Sequence, residues 1–231
     1  METLIQLDQE LLLYLNSFTS PLFDAVFWLI TSKTIWVPMY VMILYAIFKS
    51  QGIKGFVTIV FLGLMVLLCD QISTNIFKEG FERFRPSHEP ALEGLVDLIN
   101  GKKGGKYGFV SSHATNSFGL AVFSLLLFRF RWYTVFILFW AALNSYSRIY
   151  MGVHYPGDIL GGLVLGSVIG WFVYWMYRKV ASRFLLIPDS ITPTAGRREF
   201  SLSNVRLVVF TGLITIVLIL LSGKIILPLT V

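Results

Sequence analysis

Six apolar runs, each near the length of a membrane crossing, constrain this chain more strongly than any other feature. A helix rises about 1.5 Å per residue, so about 20 apolar residues cross the roughly 30 Å hydrocarbon core of a bilayer. The composition agrees, since 55% of the 231 residues are hydrophobic, 14% are charged and the mean hydropathy is +0.71. We therefore expect an all-α, polytopic membrane helix bundle with about six transmembrane helices. The predicted spans are Thr34–Phe48, Gly55–Phe77, Ala114–Phe128, Trp132–Tyr150, Gly157–Tyr177 and Leu207–Leu221.

The N-terminal residues Met1–Thr31 carry acidic side chains but no lysine or arginine. A cleavable signal peptide begins with basic residues, so this segment does not fit one. We predict two short amphipathic helices, Thr3–Asn16 and Pro21–Thr31, that lie on the membrane because neither is long enough to cross it. The alternative is one tilted span, Pro21–Phe48, with Lys33 inside it. The apolar positions at helical spacing in the first helix are Leu4, Leu7, Leu11 and Tyr14.

Basic residues cluster in three predicted connections that fall on one side of the membrane. In polytopic proteins the basic side faces the cytoplasm. These clusters account for the net charge of +6 without a nucleic-acid partner, for which the chain has no motif. A single cysteine, Cys69, leaves no disulfide framework. The basic residues are Lys49, Lys54, Arg129, Arg131, Arg178, Lys179, Arg183, Arg197, Arg198 and Arg206.

The opposite side of the membrane then receives two polar segments, Lys78–His113 and Arg148–Asp158. We expect this side to face the periplasm or the cell exterior. Three lysines in the glycine-rich stretch Asn100–Gly108 break the charge rule and argue against this orientation. A basic outer loop of this kind could attract an anionic lipid headgroup, although a solvated loop explains it equally well. These lysines are Lys102, Lys103 and Lys106.

Three polar clusters occur on the outward side. They are Lys78-x6-Arg85-Pro86, Ser111-Ser112-His113 and Ser147-Arg148-x5-His154-x3-Asp158. Ionisable residues at the mouth of a membrane bundle are costly and therefore indicate function. Arg148 has a fork of donors suited to phosphate, His154 can act as nucleophile or base, and Asp158 could hold the imidazole in one tautomer. The alternative is a turn whose polar residues only anchor it in the headgroup layer.

These clusters resemble the signature of the type-2 phosphatidic acid phosphatase (PAP2) family, which is Lys-x6-Arg-Pro, Pro-Ser-Gly-His and Ser-Arg-x5-His-x3-Asp. The first and third parts agree in residue and spacing, whereas Val110 and Ser112 replace the proline and glycine of the second. Three parts in order on one membrane face are far more specific than any one alone. The resemblance covers roughly Thr34 to Tyr177 and lacks the usual leading span of the family.

The resemblance implies a division of the chain. Residues 1–33 are the N-terminal interfacial helices, residues 34–180 are the catalytic membrane domain, residues 181–206 are a cytoplasmic linker, and residues 207–231 hold an extra C-terminal transmembrane helix. The implied location is the inner membrane of a bacterium, with the site facing outward.

The resemblance also implies a metal-independent phosphatase without a cofactor. His154, oriented by Asp158, would attack phosphorus to give a phosphohistidine, and His113 would protonate the departing oxygen. The phosphate-binding residues would be Lys78, Arg85, Ser111, Ser112 and Arg148, where cations and the start of a helix favour an anion. A zinc site would need His113 and His154 to converge with a carboxylate among these cations, which would repel the metal.

The expected partners are a lipid phosphate substrate and membrane lipids, with the oligomeric state left open. We favour undecaprenyl pyrophosphate because an outward site suits its recycling. Phosphatidylglycerol phosphate, phosphatidic acid and lipid A phosphates remain alternatives, since the motifs do not separate them. A non-catalytic lipid-phosphate binder or translocase is the alternative from another class, and it would need the same cations without His154 and Asp158.

Overall fold

The computed structural model describes residues 2–184 and 200–226, and the regular structure within these ranges is helical apart from one backbone bridge between Phe84 and Tyr107. The predicted all-α class is therefore confirmed. The helices are α1 Glu2–Asn16, α2 Pro21–Ile30, α3 Val37–Gln51, α4 Gly55–Gln71, α5 Glu79–Phe81, α6 Ser112–Phe128, α7 Arg131–Tyr150, α8 Pro156–Phe184 and α9 Leu202–Ile226. A π-helical stretch, Ile72–Lys78, joins α4 to α5.

Helices occur at all six positions predicted to cross the membrane. Among the residues that the structure describes, three segments qualify as spans by length and hydropathy: Thr34–Phe81, Pro156–Arg183 and Leu202–Gly223. The first of these contains two predicted spans, because α3 and α4 follow one another with only a short turn between them. The protein is an integral membrane protein, while the count of six crossings stays a prediction. The predicted linker, 181–206, lies mostly on residues outside the described ranges.

Helices α6 and α8 form the centre of the bundle because glycines let their backbones approach closely. A Cβ at Gly162 would lie 2.8 Å from the Ser111 carbonyl oxygen, and a Cβ at Gly170 would lie 2.6 Å from that of Gly119. Small residues at this spacing are typical of tightly packed membrane helices. The close approach brings the first turn of α6 next to the first turn of α8, where the Ser111 N–H donates to the Asp158 carbonyl at 3.0 Å.

The N-terminal helices are fixed to the end of the bundle at which α7 finishes. Asn16, which is buried, donates to the Tyr150 carbonyl at 2.9 Å and accepts from the Asp97 N–H at 2.8 Å. Tyr150 also donates to Asp24 of α2 at 2.6 Å. Helix α9 packs against α3 and α2. The position of α1 and α2 on the membrane surface remains a prediction.

Four polar residues lie near the end of the second predicted span, where lipid would penalise them, so the sequence predicts that Asp70, Gln71, Ser73 and Asn75 face the bundle interior and support the site. Ser73 is fully buried, but Asp70, Gln71 and Asn75 are exposed. Gln71 and Asn75 lie four positions apart on one helical face and hydrogen-bond to each other at 2.8 Å, so each satisfies the other without an interior partner. The prediction is confirmed for Ser73, and Asp70 lines the cavity between α3, α4, α6 and α7, whereas the prediction was wrong for Gln71 and Asn75.

Candidate active site

The three polar clusters converge at the end of the bundle that carries the first turns of α6 and α8. The Lys78 ammonium donates to the Ser112 hydroxyl, which joins the first cluster to the second. Arg85 contacts His154, which joins the first to the third. Ser111 contacts the Asp158 backbone, which joins the second to the third. Segments that are far apart in sequence thus share one polar centre.

His154 lies in the turn between α7 and α8 with both ring nitrogens in contact. Its Nδ1 is 3.1 Å from Asp158 Oδ2, and its Nε2 is 2.9 Å from Arg85 Nη1. A guanidinium can only donate, so Nε2 must accept and the ring proton must sit on Nδ1, facing the carboxylate. His154 and Asp158 are almost completely buried. This tautomer leaves the Nε2 lone pair as the reactive one.

The pKa of His154 is held well below the ordinary value for histidine. Burial is the main cause, and the positive charges of Arg85 and Arg148 add to it. The imidazole is therefore neutral near pH 7. A neutral imidazole with an accessible Nε2 lone pair is the form that can act as a nucleophile.

Arg85 is held by the loop that follows it. Its Nε donates to the Tyr107 carbonyl at 3.1 Å and its Nη1 to the Val153 carbonyl at 3.3 Å. The residue is 8% exposed, and this burial lowers the pKa of its guanidinium while Asp158 raises it. The contacts leave one fork of the guanidinium facing His154.

The glycine-rich stretch that contains the three loop lysines wraps over Arg85. The Arg85 N–H donates to the Lys106 carbonyl at 3.0 Å, and the Gly108 N–H donates to the Arg83 carbonyl at 2.8 Å. A Cβ at Gly108 would lie 2.9 Å from Asp158 Oδ2 and 3.6 Å from His154 Nδ1. Glycine is therefore needed at 108 so that the loop can cover the two residues without displacing them.

Lys78 reaches the centre through the π-helical stretch, a feature that frequently marks functional sites. Ser112 Oγ receives both the Lys78 ammonium and the Ser73 hydroxyl, the latter at 2.8 Å. Ser111 caps α6, since its side chain accepts from the Ala114 N–H. Free backbone N–H groups at the start of a helix favour an anion.

The other two predicted site residues meet at the end of α2. Arg148 Nη1 donates to the Thr31 hydroxyl at 2.6 Å, and the buried Arg148 Nε has no partner among the described residues. His113, in the first turn of α6, lies beside the Thr31 backbone. An unpartnered guanidinium nitrogen beside other cations is suited to receive an anion.

Three residues of this centre, Arg83, Asp8 and Thr31, were not predicted from the sequence, whereas Ser73 was predicted to support the site. Arg83 Nη1 lies 3.2 Å from Asp158 Oδ1, and Arg83 Nη2 lies 2.8 Å from Asp8 Oδ2. Thr31 and Ser73 hold Arg148 and Ser112 as described. The pattern Arg83-Phe84-Arg85-Pro86 carried a signal for one of them, because residues two apart in an extended segment share a face and Pro86 favours an extended conformation before it. Nothing in the sequence pointed to Asp8 or Thr31.

Two apolar cavities flank the centre. One of about 670 Å³ lies between α3, α4, α6 and α7 and is bounded by Ser112 and His113. The other, of about 690 Å³, lies between α1 and the start of α8 and is bounded by Arg83 and Tyr155. In the described ranges no three histidine, cysteine, aspartate or glutamate side chains come together as a metal site would require. The arrangement combines cations and a neutral histidine with apolar space on both sides, and such a set of side chains could receive a phosphate group.

Comparison with known proteins assigns this arrangement to a family. The PAP2 superfamily matches residues 56–182, which include all three polar clusters. The lipid A 4'-phosphatase of Bacteroides thetaiotaomicron is 39% identical over 218 residues, covering 94% of this chain and 95% of that protein. The lipid A 4'-phosphatase of Porphyromonas gingivalis is 43% identical over 186 residues, covering 80% of this chain and 79% of that protein.

Other relatives are similar over shorter stretches or in fold alone. An undecaprenyl-diphosphatase of Sulfolobus acidocaldarius is 30% identical over 137 residues, which is 59% of this chain and 61% of that protein. The crystal structure of the PAP2-type phosphatidylglycerolphosphate phosphatase from Bacillus subtilis superposes with a TM-score of 0.59 at 22% identity, covering 80% of this chain and 90% of that chain. This likeness agrees with the helical bundle described above.

Proposed function

The chain belongs to the PAP2 superfamily and is a membrane lipid phosphatase, and from that premise we propose that it removes the 4'-phosphate of lipid A. The sequence similarity to the Bacteroides enzyme supports this proposal, because it covers 94% of the chain. The similarity therefore extends well beyond residues 56–182, which the superfamily matches. The undecaprenyl-diphosphatase aligns with only 59%. Among the candidates drawn from the sequence, the preference therefore moves from undecaprenyl pyrophosphate to a lipid A phosphate.

The contact chain Asp158–His154–Arg85 carries the chemical part of the proposal. His154 Nε2 attacks phosphorus while the Nδ1–H remains on Asp158, and the bond from phosphorus to the lipid oxygen breaks. Burial and the charge of Arg148 lower the pKa of His113 in the free site, so we propose that His113 takes up a proton when the phosphate dianion binds beside it. It then gives that proton to the lipid oxygen, and the leaving group departs as an alcohol. Water then attacks the phosphohistidine, His113 takes its proton, and phosphate is released from Nε2.

Positive charge on three sides would stabilise the transferring phosphoryl group. Arg85 faces Nε2, Lys78 lies on Ser112, and Arg148 has an unpartnered Nε. Phosphoryl transfer depends chiefly on positioning and on cations around the equatorial oxygens. Ser111 and Ser112 at the start of α6 would add donors. The residues present can thus perform the reaction without a metal ion.

The cavity beside His113 suits the departing lipid. Most of its lining surface is apolar, and its polar lining residues are Ser112 and His113 together with Lys33, Asp70, Asn116, Ser117 and Asn144. A lipid oxygen protonated by His113 would leave toward this apolar space, while the phosphate stays among the cations. We propose that the site faces the periplasm, because the basic connections near Lys49, Arg129 and Arg178 lie at the other end of the helices.

A substrate panel tests the proposal. The purified protein is assayed for released phosphate with lipid A, undecaprenyl pyrophosphate, phosphatidylglycerol phosphate and phosphatidic acid in the same detergent. We expect kcat/KM for lipid A to exceed the others by about tenfold or more, and mass spectrometry to show loss of the 4'-phosphate alone. A parallel preparation of His154→Ala measures any contaminating phosphatase.

Two results would change the assignment. Highest kcat/KM with undecaprenyl pyrophosphate would replace lipid A by the substrate that the outward site first suggested. Binding of these lipids without turnover of any of them would favour the non-catalytic binder.

A further inference from the structure

We propose that Asp8 and Arg83 are positioning residues that hold the Asp158 carboxylate on His154, so that the first helix takes part in building the catalytic centre. This inference rests on the proposed phosphoryl transfer by His154. The residues come from segments that no motif connects. Asp8 lies in α1, outside the residues that the superfamily matches.

The contacts form a continuous chain. Arg83 spans two carboxylates, with Nη2 at 2.8 Å from Asp8 Oδ2 and Nη1 at 3.2 Å from Asp158 Oδ1. Asp158 Oδ2 in turn contacts His154 Nδ1 at 3.1 Å and accepts the Tyr155 N–H at 3.1 Å. The Arg83 guanidinium carbon also lies 4.1 Å from the centre of the Tyr155 ring, which limits its movement. Both oxygens of the orienting carboxylate are therefore occupied.

Asp8 balances the charge of Arg83. If Arg83 faced Asp158 alone, its guanidinium would compete with the imidazole for the negative charge of that carboxylate. Asp8 offers Arg83 a second carboxylate at the shorter distance, which leaves more of the Asp158 charge for the positive ring that forms when His154 attacks phosphorus. Asp158 is fully buried, so water does not weaken this competition.

Asp8 also fixes the helix that carries Asp158. Its Oδ1 accepts the Gly157 N–H at 2.8 Å, at the start of α8, where a negative charge is favourable. Leu12, which is fully buried, and Asn16, which bonds to the α7 end, hold α1 in place one and two turns further on. The α1 helix thus brings an anchored carboxylate to the turn that positions the nucleophile.

Two variants disturb the pair in different ways. Asp8→Asn keeps an oxygen for the Gly157 N–H but removes the charge that balances Arg83. Gly157→Ala keeps both charges but places a Cβ 2.7 Å from Asp8 Oδ2, so the carboxylate must move away. The matched controls are Glu10→Gln, an exposed carboxylate on the same helix, and Gly80→Ala, an exposed glycine of α5 with open space around its Cβ position.

We expect both variants to lower kcat by roughly tenfold, as loss of a partner that orients a functional histidine typically does, with KM changed less than about twofold. Asp8→Glu should restore most of the rate. Adding Arg83→Met to Asp8→Asn should recover part of the lost kcat, because no uncompensated guanidinium then competes for Asp158. The two controls should keep the wild-type kcat.

Three outcomes would overturn the inference. The first is a kcat that stays within about twofold of wild type in both variants. The second is a rise in KM at constant kcat, which would make Arg83 a substrate-binding residue. The third is a fall in kcat that follows the folded fraction, measured by thermal unfolding, in every variant including Asp8→Glu. That result would show a role in stability alone.

Vanadate binding separates this inference from the proposed function. Vanadate resembles five-coordinate phosphorus, and its binding needs no turnover. Calorimetry should show affinity lowered by about tenfold in Asp8→Asn and unchanged in Glu10→Gln. If wild type hydrolyses no lipid phosphate but this difference appears, the proposed function fails and the positioning role stands. If lipid A is hydrolysed but the vanadate affinities agree, the positioning role fails and the proposed function stands.

Discussion

Arg85 Nη1 lies 2.9 Å from His154 Nε2, so the nitrogen with the reactive lone pair is covered by a guanidinium. An incoming phosphoryl group must take over that N–H before Nε2 can reach phosphorus. Exchanging Nε2 for a phosphate oxygen as the acceptor of this hydrogen bond costs little free energy, because a phosphate oxygen is a better acceptor for a guanidinium than a neutral ring nitrogen. Arg85 therefore keeps the imidazole in one tautomer before substrate binds and would contact the phosphoryl group afterwards.

Replacing His154 and replacing His113 should impair catalysis in different ways. His154→Ala should abolish the phosphoenzyme, because the variant lacks the imidazole that would attack phosphorus. His113→Ala should slow cleavage of a lipid phosphate by about 10² to 10⁴ and cleavage of p-nitrophenyl phosphate much less, since p-nitrophenolate leaves without a proton. Rapid-quench detection of the phosphoenzyme and the two turnover rates measure this. Near wild-type turnover in His154→Ala would disprove the mechanism.

Gly108→Ala should reduce turnover without unfolding the protein. Its Cβ would lie 2.9 Å from Asp158 Oδ2 and 3.2 Å from Arg85 Cγ, so the carboxylate or the loop must shift. A shift of this size in a group that orients the nucleophile can cost roughly 10² in kcat. Gly105→Ala is the control, because nothing lies within 4 Å of its Cβ position. Equal rates for the two variants would mean that the loop relaxes freely.

Activity should not depend on a metal ion, because the three cations around His154 supply the positive charge that the transition state needs. We expect turnover to survive excess EDTA and to be inhibited by vanadate. Phosphate release before and after chelation measures this. Loss of activity with EDTA that a divalent ion restores would contradict the proposed roles of Lys78, Arg85 and Arg148.

Stability should fall in acid in a way that depends on His154. Its pKa is lowered in the folded protein, so below the ordinary value of about 6.5 the unfolded chain takes up a proton that the folded chain does not. The folded state therefore loses stability as pH falls below about 6.5, by up to about 1.4 kcal/mol per pH unit, and is unaffected above it.

His154→Asn should remove this part of the pH dependence. The check is thermal unfolding in detergent between about pH 8 and about pH 5, on both sides of the ordinary histidine pKa. The transition temperature of wild type should fall more steeply than that of the variant on the acid side alone. Parallel curves would mean that folded His154 takes up a proton as readily as an exposed histidine.

Cysteine labelling in whole cells tests the orientation. Gly105→Cys and Ser182→Cys, each in a Cys69→Ser background, lie at opposite ends of the bundle. We choose Gly105 rather than the neighbouring Gly104, because a Cβ at position 104 would lie 3.2 Å from Arg85 Nη1 and could disturb the site. A membrane-impermeant maleimide should label position 105 before lysis and position 182 only after it. The reverse pattern would place catalysis on the cytoplasmic side and make the lysine-rich loop an ordinary positive-inside loop.

The helices and the motif residues could be predicted from the sequence because both depend on local information. An apolar run of about 20 residues is most stable in a bilayer as a transmembrane helix, and helices occur at all six predicted positions. The spacing Ser147-Arg148-x5-His154-x3-Asp158 placed the histidine in a turn and the aspartate on the next helix, as the structure does. The exposure of Asp70, Gln71 and Asn75 was not predictable in the same way, because it depends on which face of α4 meets its neighbours.

The sequence was sufficient to predict the bundle of helices, the resemblance to the family and the set of polar residues at one end of the bundle. Which of these residues touch depends on the tertiary fold. The Asp8 side chain meets Gly157, 149 residues away, and Thr31 meets Arg148, 117 residues away. Such contacts arise from the packing of α1 and α2 on the ends of α7 and α8, which no local spacing encodes. The charge balance around His154 follows from that packing, since carboxylates and guanidiniums act on one another only at the few ångströms that the assembled fold provides.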